Sequence, residues 1–345
     1  MRFPLRSQAL FLSLASFTFT ASLACAQNVA ASKPMQLVTS FGPGAITLPH
    51  GEEWKPELIT VYDKGARPAA QFTNSKSHVN VSYILFENRS GKPNAEGCRE
   101  DAVSPIVREQ AIAIRKRTDS SQSLADGTRL ATTLLIVDIG AAASAAGLSK
   151  REAGTQNSLF AFAGDEHTCA ELHASTIGEQ PERLRAMTQI VSDFHPVLGY
   201  KPTAIDYFRI AQILFKNAPA LASPYYKSSL DAMPADASYL TARRITTDQL
   251  VMALGMSGDL RGSRAIAEKA IASDPDYPIN YYNLACADAE KGDATSARTH
   301  LQQAFDRRNN VIKGESMPDP AQDGSILKLK KNKEFWAFIT SLPKS

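Results

Sequence analysis

What most constrains this chain of 345 residues is an internal repeat near its C-terminus. Gly258-Asp259 returns 34 residues later as Gly292-Asp293. At the same offset Leu250 matches Leu284, Ala253 matches Ala287, Arg264 matches Arg298 and Ala270 matches Ala304. A fixed period of this length means one small unit copied and stacked, because a lone helix pair cannot bury its own apolar face. Each recurring residue type has a physical reason. Gly258 and Gly292 end the first helix of a pair, where a left-handed backbone costs least for glycine. Small residues at Ala253, Ala287, Ser263 and Ala297 let two antiparallel helices approach closely, and Ala270 and Ala304 do the same against the next unit. Pro275 stops the second helix of the first copy.

A period of 34 residues is that of the tetratricopeptide repeat (TPR). The series Tyr281, Leu284, Ala285, Gly292, Ala297, Leu301, Ala304 resembles that family, as does Leu250, Gly258, Ser263, Ala267, Ala270, Pro275 in the copy before it. Two positions depart from the pattern: Asn309 stands where a closing proline belongs, and Thr247 where an aromatic belongs. A degenerate third copy is expected over 204–233, with Tyr225, Tyr226 and Leu230 as its packing positions; Pro234 closes it 41 residues before Pro275, which requires seven inserted residues. Ile326, Leu329, Phe335, Trp336 and Ile339 supply an amphipathic cap, with Lys328, Lys330, Lys331 and Lys333 on its solvated side. The resemblance covers roughly residues 203–310. It implies a protein or peptide partner held in a concave groove on the first helix of each pair, where Asp248, Met252, Asn280 and Asn283 fall.

Upstream, residues 41–195 mix strand and helix signals. Strands are expected at 44–48 and 58–62, over the β-rich run Val79–Glu87, and over 130–139, a continuous apolar run bounded by Gly127 and Gly140 that suits a central strand. A hairpin joins 158–163 to 167–175 around Gly164-Asp165. Helical spacing predicts helices over 100–117, tightening at Ser104-Pro105, and over 182–194. Residues 141–154 read as a loop. The order predicts an antiparallel sheet with helices on one side, followed by an all-α array, an α+β chain. Leu48-Pro49, Trp54 and Ser192-Asp193-Phe194 give the sheet region a loose resemblance to the Mog1/PsbP-like α/β/α sandwich. Residues 196–202, with Pro196, Gly199 and Pro202, read as a linker to the helical domain over 203–345.

The N-terminus has the three-part secretory layout: Arg2 and Arg6, an apolar stretch from Ala9 to Leu23, then Ala24-Cys25-Ala26. Cleavage after Ala26 is expected, giving a signal peptide over 1–26 and a flexible leader over 27–40. The alternative is a lipoprotein anchored at Cys25, although Ser22 stands where such sites usually carry leucine. Intact mass of the exported protein separates the two. No later stretch is long and apolar enough to span a bilayer, so a periplasmic or extracellular chain is expected, in a compartment that permits disulfides. Cys286 lies inside a repeat and behaves as a small hydrophobe, which leaves Cys98 and Cys169 as the natural pair.

The formal charge of +3, less the two arginines of the first 26 residues, is +1 for the mature chain. That balance offers no electrostatic argument for nucleic acid. One constellation invites a metal reading: His167, Cys169, Glu171 and His173 alternate and share one face of a strand, opposite Ala170, Leu172 and Ala174. Four such ligands span about 20 Å, too far for one ion. Cys169 bridged to Cys98, with the rest exposed, is therefore expected. No nucleophile elbow, metalloprotease helix or phosphate loop occurs. No cofactor and no catalysis are expected, and a binding scaffold is the leading function class. A small-ligand or enzymatic N-terminal domain with a structural or dimerising array is the alternative.

Overall fold

The computed structural model describes residues 34–39, 43–51, 53–62, 67–109, 113–140 and 154–343. The expected signal peptide, Cys25, residues 27–33 of the leader and nearly all of the 141–154 loop lie outside them.

A small sheet comes first. β1 (Gln36–Val38) and β2 (Ala45–Thr47) pair antiparallel, and β10 (His195–Val197) returns from far along the chain to the other side of β2. β1 corrects part of the flexible-leader expectation, since Leu37 and Val38 are fully buried. The large sheet has seven antiparallel strands: β3 (Trp54–Tyr62), β4 (Arg67–Asn74), β5 (Val79–Glu87), β6 (Ile114–Ser123), β7 (Arg129–Asp138), β8 (Thr155–Gly164) and β9 (Thr168–Ile177). Their order is β3-β4-β5-β9-β8-β7-β6.

Both faces of this sheet are core. On β8, Phe160 and Phe162 point to one side and Ala161 and Ala163 to the other, as strand alternation requires. The Phe side is covered by α1 (Ala95–Glu109), through Cys98 and Val103. The Ala side is covered by α2 (Pro181–Ser192), through Met187, Ile190 and Val191, and by the small sheet. The expectation of helices on one side is thus corrected to one on each. The helix expected over 100–117 is also corrected: α1 stops at Glu109 with Pro105 inside it, and Ile114 opens the edge strand β6. β6 is solvated along nearly its whole length, so it carries no apolar alternation, and its pairing with β7 alone defines it.

Six helices follow in three antiparallel pairs: α3 (Ala204–Phe215) with α4 (Pro219–Ala232), α5 (Leu240–Met256) with α6 (Leu260–Ser273), and α7 (Pro278–Glu290) with α8 (Ala294–Asp306). α9 (Gly324–Leu327) packs on α7, and α10 (Lys333–Ser341) packs on α8. Gly258 and Gly292 end α5 and α7 with φ of +87° and +79°, the left-handed backbone that favours glycine. Asp259 and Asp293 then cap α6 and α8 by accepting backbone N–H bonds from Gly262 and Ser296.

The segment 196–202, read as a linker, is anchored at both ends. It begins inside β10, the Tyr200 carbonyl accepts from Gly44 N–H at 2.8 Å, and the Tyr200 hydroxyl donates to Asp206 at 2.8 Å. Asp206 and Thr203 form a capping box that starts α3. Ile210, Ala211, Leu214 and Tyr226 share one apolar cluster with Leu37, Leu172 and Phe194. The sheet and the first helix pair are one packed body.

Candidate functional site

The helix stacking leaves a concave space between α5 and α7, and the segment after α8 turns at Gly314 and folds back along it. The resulting cavity has a volume of about 870 Å³. Asp248, Met252 and Met256 reach it from α5, four residues apart and so on one stripe. Tyr282, Cys286 and Glu290 do the same from α7, and Glu315, Asp323 and Lys328 come from the return segment and α9.

The floor is acidic. Asn283 Nδ2 donates to Asp248 Oδ1 at 2.8 Å, yet burial, helped by the charge of Glu315, lifts the Asp248 carboxyl to about 6. Glu315 accepts from the Tyr277 hydroxyl at 3.0 and 3.1 Å and from Ile312 N–H at 3.0 Å, and burial raises its pKa as well. Asp323 caps α9, accepting from Ser325 N–H at 2.9 Å and Ile326 N–H at 3.3 Å. The Cys286 thiol lies 3.8 Å from Asp323 Oδ2, and burial, reinforced by that carboxylate, holds it protonated. Lys328 pairs with Glu290. Four lining carboxylates less one lysine leave a formal charge of −3. Tyr282 is only 2% exposed, and its hydroxyl meets no hydrogen-bond partner. Burial, and then the nearby Cys286 and Asp323, raise its pKa, Asp323 both by its charge and as an incipient hydrogen-bond acceptor.

Of the residues expected to line a groove, Asp248, Met252 and Asn283 do. Asn280 does not; it is buried within α7 and lines no part of the cavity. Tyr282, Cys286 and Glu290 were not singled out from the sequence, although their spacing of four is a signal that could have found them; Glu315 and Asp323 carry no repeat signal. The packing residues of the repeat fall mostly inside: Leu250, Ala253, Leu284, Ala287, Ala297 and Ala304 are buried. Ala270 is half-buried. Pro275 is exposed, and its carbonyl accepts from the Tyr281 hydroxyl at 3.0 Å and from Arg307 Nε at 2.9 Å.

The His/Cys/Glu strand resolves into structure. Cys169 is bonded to Cys98, with a Cα separation of 5.6 Å, so the disulfide staples α1 to the sheet. Its loop of 71 residues corresponds to about 4 kcal/mol in the chain-entropy description. His167 is exposed and precedes β9. Glu171 and His173 correct the expectation of exposure. Glu171 is buried, and the His173 ring stacks on Phe160 with centroids 4.2 Å apart. His173 Nε2 is enclosed without a partner, and burial brings its pKa down to about 4. Among the described residues no group of three or more His, Cys, Asp or Glu is arranged to hold a metal.

In the sheet region a second hollow, about 620 Å³, lies beside α2 and the β4–β5 turn. Charges of both signs line it, among them Glu53, Lys76, Glu182 and Arg183.

No protein-family model matches the chain, and no curated protein matches it. Similar solved structures include the Sgt2 TPR domain from Aspergillus fumigatus, 16% identical at a TM-score of 0.30, with the match covering 42% of this chain and 87% of that one. YrrB, described as a TPR protein with an unusual peptide-binding site, is 20% identical at a TM-score of 0.28, covering 37% of this chain and 57% of that one. A multi-domain immunophilin from Arabidopsis thaliana is 12% identical at a TM-score of 0.27, covering 74% and 99%. No helix among the described residues is long and apolar enough to cross a membrane.

Proposed function

We propose that this chain is an exported TPR-type scaffold that works by binding rather than by catalysis, and that it holds an extended segment of a partner protein between α5, α7 and the return segment. The observation that carries this reading is the open hollow of about 870 Å³ on the first helices of two successive repeats. A pocket of that size takes several side chains. Met252 and Met256, 39% and 60% exposed, stand at its edge; methionine adapts its shape to varied apolar partners. The N-terminal Arg2 to Ala26 layout supports export, and the Cys98–Cys169 bond suits an oxidising compartment. The Mog1/PsbP-like reading of the sheet region stays a proposal, resting on Leu48-Pro49, Trp54 and Ser192-Asp193-Phe194.

The test is selection of displayed peptides on the full mature chain, repeated with Met252→Trp/Met256→Trp. Both methionines are exposed, so the tryptophans fill the hollow's edge without disturbing a core. Peptides retained by the native chain and lost by the variant are expected. Selection of nothing, or of peptides indifferent to the variant, overturns the reading.

A further inference from the structure

We infer that this groove is selective for a basic segment, with a Lys or Arg side chain of the bound peptide entering the hollow between Asp248, Asp323 and the Tyr282 hydroxyl. The inference rests on the peptide-binding reading above and adds the chemistry of what is bound.

Four observations converge. First, the lining carries Asp248, Glu290, Glu315 and Asp323 against Lys328 alone. Lys328 is already committed to Glu290; Arg244, outside the lining, partly balances Glu315, and no lining cation is left for Asp248 or Asp323. Second, these acids are not merely solvated surface. Glu315 is bound by Tyr277 and Asp323 by the start of α9, which fixes both carboxylates in place. Asp248 is held by Asn283, and an amide, being neutral, leaves the carboxylate charge uncompensated. Concave walls of low dielectric concentrate such a field. Third, the Tyr282 hydroxyl is buried beside Cys286 and Asp323 and makes no hydrogen bond of good geometry, Asp323 included. A buried hydroxyl left without a partner is costly, and an entering ligand group is one way to supply it. Fourth, the edge is apolar, through exposed Met252 and Met256, which suits the carbon stem of a Lys or Arg and the side chains next to it. A small free cation uses the acids but leaves the methionines and most of the volume unused.

The consequences differ from those of an indifferent groove. Affinity depends on charge, falls with salt because a charged ligand must approach through solvent, and collapses when the acids are neutralised. Removing one partner of an enclosed charge pair typically costs binding a factor of about 30 or more.

The experiment uses the full mature chain and peptide pools of about eight residues, roughly 27 Å when extended. Each pool is randomised except for one central position fixed as Lys, Arg, Gln or Glu. Affinity is measured at low and high salt. Asp248→Asn/Asp323→Asn is the test variant; asparagine still caps a helix, so α9 keeps its start. Asp231→Asn, an exposed acid near the end of α4 that does not line the groove, is the control. Lys and Arg pools are expected to bind at least about tenfold more tightly than Gln and Glu pools, to weaken with salt, and to lose that advantage in the test variant but not in the control. Equal binding of all pools overturns the charge selectivity and leaves the peptide-binding reading standing. No binding by any pool overturns both. If free lysine and spermidine displace the pools at the affinity of the peptides themselves, the site is one for small cations and the inference fails. Should the test variant misfold, by circular dichroism and melting, Glu315→Gln alone is the second variant, with the same pattern expected in smaller measure.

Discussion

Asn283 reaches across 35 residues of sequence to Asp248, donating from Nδ2 to Oδ1 at 2.8 Å. One residue belongs to α7 and the other to α5, so the bond joins the first helices of two repeats at the floor of the groove. It holds a carboxylate that the protein also partly strips of water. Those two effects oppose each other, and burial wins, because the Asp248 carboxyl is lifted to about 6.

A stability prediction follows from that sign. A folded-state pKa above the unfolded value means that ionised Asp248 destabilises the fold, with the penalty growing as pH rises from about 4 through about 6. The groups near it are Asn283 and Cys286 from α7, Gln249 on its own helix, Glu315 from the return segment, and the Tyr226 and Tyr277 hydroxyls. Asp248→Asn keeps an acceptor for Asn283 and removes the charge. Its melting temperature should exceed that of the native chain at pH 7.5, by the equivalent of about 1–2 kcal/mol after allowing for partial solvation, and the gap should close by pH 4. A gap independent of pH refutes this account.

His173 should produce the opposite trend. Its ring is stacked on Phe160, with Nε2 enclosed and unpartnered, and its pKa is pulled down to about 4 from the ordinary 6.5. The unfolded chain therefore takes up a proton that the folded chain refuses. Stability is lost as pH falls from about 6.5 towards 4, by about 2 kcal/mol for this group. His173→Phe keeps a stacked ring and should flatten that part of the stability–pH curve, as read from denaturant midpoints at several pH values.

The disulfide sets a third expectation. Denatured chain beginning at Gln27 should show a single free thiol, Cys286, without reductant, and three with it. Cys98→Ser/Cys169→Ser should cost about 3–4 kcal/mol, the order expected for so long a loop. Native Cys286 should alkylate slowly near pH 8, because burial keeps the thiol protonated.

Gly164 sits opposite Cys169 on the neighbouring strand. A Cβ there would run into Cys98 Sγ and come within 3.0 Å of the Asn94 carbonyl. Gly164→Ala should thus force α1 away from the sheet, lowering stability by about 2 kcal/mol or more and raising the fraction of free Cys98 and Cys169 detected on thiol titration. Gly292→Ala, at φ of +79° with nothing near the new methyl, is a backbone penalty alone and should cost about 1 kcal/mol.

Which parts were legible from residues alone follows from the range of the forces. The helix pairs were, because glycine stops at Gly258 and Gly292 and small residues such as Ala253 and Ala297 act within one unit, and the 34-residue copy displays them twice. The Cys98–Cys169 pair was, because counting cysteines left one partner for each. The amphipathic strands β5, β8 and β9 were, from alternation and the Gly164-Asp165 turn. β6 was not, since a strand solvated on both faces has no pattern of its own and exists only by pairing with β7. β1 and β10 were not, since each has only three residues and exists by pairing with β2, β10 from about 150 residues away. Sequence by itself determined the repeating helix pairs, a β-rich region before them and a disulfide-bonded chain, all properties of near neighbours or of simple counts. Only the tertiary structure decided that the sheet is covered on both faces, that the first helix pair shares its core, and that Glu315 and Asp323 return to meet Asp248 in one acidic hollow. Those outcomes depend on burial and long-range electrostatics, which exist only once distant segments are packed together.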